Sequence, residues 1–85
     1  MPWVSIEEAK RLNIPKKTLQ TVEINRHKFS LRQAKKWMKD HNYANAYYRT
    51  TANYWRFMQT PPIIGSTYYS KKLDNDVILV YQEYS

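Results

Sequence analysis

Ser30-Leu31-Arg32-Gln33 opens the segment of this chain whose conformation is hardest to mistake. A Ser, then a Gln three residues on, just ahead of an apolar run, is a capping box. The Ser hydroxyl accepts from the amide of Gln33, and the Gln side chain accepts from the amide of Ser30. The helix expected over roughly residues 31–41 has two unlike faces. Leu31, Ala34, Trp37, Met38 and His41 share one; Arg32, Lys35, Lys36 and Lys39 share the other, at i, i+3, i+4 and i+7. Asn42 suits a left-handed stop. Such a helix must lay its apolar stripe on something, and the rest of the chain is mostly strand material.

Val22 to Lys28 reads as a strand. Tyr47 to Thr51 and Tyr54 to Met58, rich in aromatic and β-branched residues, read as two more, joined by a turn at Ala52-Asn53. Thr60-Pro61-Pro62 breaks the pattern. Thr67 to Leu73 and Val77 to Tyr84 form a second hairpin about Asp74-Asn75-Asp76, where Asn tolerates positive φ. At the N-terminal end Ser5-Ile6-Glu7-Glu8 is another capping box, followed by a short helix over roughly 6–12 that Pro15 ends. The expected fold is α+β: one main amphipathic helix packed on an antiparallel sheet of about five strands, with a short N-terminal helix. Residues 1–21 would form the N-terminal helix and linker and 22–85 the α+β unit, in one compact domain.

The last strand is apolar on both faces, with Val77, Leu79 and Tyr81 on one and Ile78 and Val80 on the other. A half-solvated antiparallel strand alternates apolar with polar. The spare face needs cover, either from a second subunit, making these five residues a homodimer interface, or from the N-terminal segment with Trp3, Ile6, Leu12 and Ile14. A domain of 85 residues without Cys has no disulfide or zinc-thiolate site to stabilise it, and such domains often gain stability from a partner.

Charge is distributed unevenly. The net charge is +7, and between Ile24 and Leu73 ten Lys/Arg stand against a single acid, Asp40. Like charges held together repel, so a field of this sign points to a polyanionic or acidic partner. The string MPWVSIEEAK has no apolar h-region, so no secretory signal is expected. No window approaches about 18 consecutive apolar residues, so no membrane span is expected.

The segments FSLRQAKKWMKDHNY, YRTTANYWRFMQTPP and STYYSKKLDNDVILVYQ resemble a small module of tailed phages and giant DNA viruses. The likeness covers about residues 22–84. It rests on Phe29, Ala34, Lys36, Trp37, Met38, His41, Tyr43, Arg49, Asn53, Arg56, Phe57, Gln59, Pro62, Lys72, Leu73, Asn75 and Val77. Asn42 and Asp76 stand where that module has Gly, and both suit a turn. The resemblance implies a viral origin, in the virion or the infected host cell (cytoplasm or nucleus), and implies no chemistry.

No catalytic constellation is present. His27 and His41 are far apart, Gly65 is the only glycine, so there is no phosphate-cradling loop, and Asp74 and Asp76 read as turn residues. No metal and no cofactor are expected, and no enzyme. The leading expectation is largely sequence-independent nucleic-acid binding. Arg32, Lys35, Lys36 and Lys39 would meet phosphates, helped by Arg26, Lys28, Lys71 and Lys72. Arg49 and Arg56 read as contacts or as structural residues. Tyr48, Tyr54 and Tyr68 are candidates for stacking unpaired bases, against the plainer reading that the sheet's aromatics pack its own helix. The spacing of Ala9, Leu12, Ile14, Leu19 and Val22 loosely matches a helix-turn-helix, with Lys16, Lys17, Thr18 and Gln20 facing a groove. The rival function is a homodimeric structural or host-directed module docking an acidic host or viral protein.

Overall fold

A nine-residue strand at the centre of a five-stranded sheet organises the molecule. In the computed structural model, residues 3–74 and 76–85 are described. The order is α1 (Ile6–Arg11), β1 (Lys17–Asn25), α2 (Leu31–Asp40), β2 (Tyr48–Thr50), β3 (Tyr54–Met58), β4 (Thr67–Lys72) and β5 (Val77–Glu83). The sheet runs β2-β3-β1-β5-β4 with every pairing antiparallel, so the two hairpins flank β1. The α+β class is the expected one. The turn expected at Asp74-Asn75-Asp76 falls partly outside the described residues, at Asn75; Met1 and Pro2 also lie outside them.

The helix ends follow the sequence logic closely. Ser30 accepts from the Gln33 amide at 3.2 Å, and the Gln33 side chain accepts from the Ser30 amide at 2.9 Å, completing the capping box. At the other end Asn42 adopts φ 61°. The Tyr43 amide donates to Met38 O at 2.8 Å and the Asn42 amide to Lys39 O at 3.1 Å, the paired bonds of a Schellman stop. Helix α1 ends the same way. Asn13 takes φ 60°, with bonds from Ile14 to Ala9 and from Asn13 to Lys10. Its stop is therefore Asn13, two residues before the proline.

Strand β1 corrects the sequence reading at both ends. It begins at Lys17, five residues before the expected start. Its register against β5 slips at Gln20, where Leu19 faces Tyr81 and Thr21 faces Val80. The bulge turns Leu19 onto the face of Val22 and Ile24. Lys16 to Gln20 therefore form no recognition helix, and the helix-turn-helix reading falls. At the far end Asn25 Oδ1 accepts from the His27 amide at 2.9 Å, and this local turn ends the strand before Arg26.

One face of the sheet carries Val22, Ile24, Phe57, Val77 and Leu79, all buried against Ala34 and Met38 of α2. The opposite face is covered only at one end, where α1 lies. There Val4, Ala9, Ile63 and Tyr84 form a second small core with Ile6 and Ile14. The Tyr84 hydroxyl donates to Ile14 O. Buried Gln82 fixes the loop that follows β3: its Oε1 accepts from the Ile63 amide at 3.0 Å and its Nε2 donates to Pro61 O at 3.0 Å.

Candidate nucleic-acid interface

Because α2 presses Ala34 and Met38 into the core, its basic face points outward. Arg32, Lys36 and Lys39 are exposed. Lys36 donates to Asp40 at 3.0 Å, a solvent-exposed i, i+4 pair worth a fraction of a kcal/mol. Lys35 leans sideways, its ammonium 5.2 Å from the centre of the Tyr48 ring. Lys28 is exposed on the turn that leads into the helix. The capping box engages the Ser30 and Gln33 amides, and the basic surface is the side-chain stripe.

The other expected contacts are placed differently. Arg26 donates to Thr51 O at 2.9 Å and its guanidinium lies 5.2 Å from the Trp55 ring centre. It holds the β2–β3 hairpin to the turn before α2, as does His27 through Ala52 O at 3.2 Å. Lys71 and Lys72 lie on edge strand β4 and are split between its faces: Lys71, opposite Leu79, stands on the α2 side, and Lys72, opposite Ile78, on the open side. His41 is structural: Nδ1 donates to Trp37 O at 2.8 Å and its ring stacks on Trp37 at 3.8 Å.

The three tyrosines do not form one stacking platform. Tyr48 faces the α2 side, 5.9 Å from Phe57 and edge-on to Trp55. Tyr54 and Tyr68 face the open side at opposite corners, Tyr54 opposite Asn25 and Tyr68 opposite Gln82. The strand expected to form a dimer interface is similarly divided. Val77 and Leu79 are buried beneath α2, whereas Tyr81 is half-buried and stacks on Tyr69 at 5.6 Å. Ile78 and Val80 are half-buried on the open face. Ile6 and Ile14 pack at one end of that face, while Leu12 and Trp3 stay exposed.

Sequence reasoning missed a concavity on that open face. It encloses about 1050 Å³ and includes Trp3, Thr21, Arg49, Arg56, Met58 and Val80 in its lining. Arg56 makes a 2.8 Å ion pair with Glu23, close in distance but not aligned as a hydrogen bond. Alternation along β3 put Tyr54, Arg56 and Met58 on one face; only the sheet order reveals what that face meets. Among the described residues no group of three His, Cys, Asp or Glu is placed to hold a metal ion, and no helix is long and apolar enough to cross a membrane. No protein-family model, curated protein or solved structure matches this chain.

Proposed function

We propose that this chain binds nucleic acid through the outward face of α2, by electrostatic and largely sequence-independent contact with phosphates. One observation carries the reading: the exposed side of a rigid, doubly capped helix presents Arg32, Lys36 and Lys39, with Lys28 beside its start and Asp40 as its only acid. A solvated helix face ordinarily mixes signs. This one repels itself, and phosphates would relieve the repulsion while releasing condensed counterions. On the sequence resemblance alone we place the chain in a virus or phage, where it would meet nucleic acid.

The test is fluorescence anisotropy with labelled duplex DNA across a salt series. Three to four phosphate contacts give log K falling against log salt with a slope of about −2.7 to −3.6. Absence of binding at low salt, where screening is weakest, would overturn the reading.

A further inference from the structure

The open face of the sheet is organised as rows that cross the strands. One row runs Arg49, Arg56, Glu23, Ile78, Lys72, each opposite the next in the ladder. It holds three cations and one carboxylate. Arg49 stands directly across from Arg56, and like charges at such positions destabilise a sheet. Glu23 pairs with Arg56 at 2.8 Å and leaves Arg49 unmatched. The adjacent row, Met58, Thr21, Val80, forms the floor of the concavity. Beyond the floor stand Trp3, 58% exposed, and Tyr68, 40% exposed, with Pro61 and Pro62 between the strands and the N-terminal segment. A groove therefore crosses the sheet with a cationic wall on one side and an aromatic wall on the other.

We propose that this groove binds a single-stranded nucleic acid laid across the strands, its phosphates along Arg49, Arg56 and Lys72 and its bases against Trp3 and Tyr68. An unpaired strand is itself two-sided in this way, with charge along one edge and flat faces along the other. Cationic grooves with aromatic platforms are the general solution for holding one. The charge balance of the row fits a polyanion. A second copy of this chain would bring the same three cations against themselves. A peptide fits less well, because β3, β1 and β5 are interior strands whose backbone groups are spent on the ladder. Main-chain donors and acceptors laid over Met58 and Val80 would find no partners there, whereas peptide recognition on sheets uses free edges. The surface lies on the opposite side of the sheet from α2 and does not depend on the reading of that helix.

The experiment is two-dimensional amide NMR of the ¹⁵N-labelled chain at about 0.15 M salt, titrated in parallel with an oligothymidylate of about eight nucleotides and with a short duplex. The single strand is expected to shift the Trp3 indole N–H and the amides of Arg49, Arg56 and Tyr68, leaving the Trp37 and Trp55 indoles in place. Arg49→Ala and Trp3→Ala alter exposed side chains and are expected to weaken the single strand about tenfold each with duplex binding unchanged. Single-strand shifts confined to α2 and the turn at 26–28 would overturn the proposal. So would groove shifts that appear only with protein concentration or with an acidic peptide. Groove shifts that persist while the duplex fails to bind would support it and refute the α2 reading alone.

Discussion

Neutralising two cations of the α2 stripe should change how binding depends on salt, by an amount the geometry sets. Arg32 and Lys39 are seven residues apart on one face, about 10 Å along the axis. Phosphates recur every 3.4 Å or so along one strand of a duplex, so the stripe spans about three of them. Counting Lys28, Arg32, Lys36 and Lys39 as contacts, the slope of log K against log salt is about −3.6. The double variant Arg32→Gln/Lys39→Gln keeps two contacts and a slope of about −1.8. At about 0.1 M salt the loss is about 1.8 log units, roughly 60-fold, or about 2.5 kcal/mol. Neither side chain makes an ion pair or a side-chain hydrogen bond among the described residues, and Gln suits a helix interior, so the fold is retained. Anisotropy with a labelled duplex from low to moderate salt reads both numbers. Lys72→Gln, on the face of edge strand β4 that points away from α2, is the control and should leave the duplex slope nearly unchanged. A double variant with wild-type slope would refute the assignment of the stripe, whatever its affinity.

Three further outcomes concern the scaffold. Phe57→Ala removes a fully buried ring at the centre of the α2 face, and should cost about 3–5 kcal/mol, read as a fall of at least about 12 °C in Tm. Gln82→Leu leaves the buried Ile63 amide without its acceptor, so urea denaturation should show a loss of about 1–3 kcal/mol, and the Ile63 amide should exchange faster. Asn42→Ala places a Cβ-bearing residue without a capping side chain at φ 61°, with an expected loss of about 1 kcal/mol by thermal melting.

The sequence carried the elements better than their arrangement. Both helices were legible because Ser residues cap their starts, Ser30 in a full capping box and Ser5 through the Glu8 amide alone; the stop at Asn42 was also legible, whereas α1 ends at Asn13 and not at Pro15. Strands β2 to β5 were legible from their aromatic and β-branched residues and from the turn residues and prolines between them. Strand β1 was legible only from Val22 onward, and the bulge at Gln20 explains why its first half was missed. By restoring Leu19 to the face of Val22, it leaves two core residues three apart, which is helical spacing. The helix-turn-helix pattern came from that break in period. Sheet order was hidden because pairing is decided by register between segments far apart in sequence. The candidate site inherits the same limit: the α2 stripe could be read locally, whereas the row from Arg49 to Lys72 joins five strands.

The stripe also carries a stability consequence. Arg32 and Lys35, Arg32 and Lys36, Lys35 and Lys39, and Lys36 and Lys39 are like-charged neighbours at i+3 or i+4. Each such pair destabilises a helix by about 0.2–0.5 kcal/mol. Every one of the four includes Arg32 or Lys39, so Arg32→Gln/Lys39→Gln removes them all. Lys39 also lies in the last turn, where a cation gains about 0.3 kcal/mol or more from the helix dipole, and that gain is lost. The balance is a variant more stable than the parent by about 0.5–1.5 kcal/mol at low salt, or about 2–12 °C in Tm for a domain of this size. Since the repulsion is exposed, the gain should fade toward zero at about 1 M salt, where the screening length is about 3 Å. Calorimetry at low and high salt decides the point: a double variant less stable than the parent at low salt would show that the stripe supports the fold, and would remove the electrostatic argument for binding.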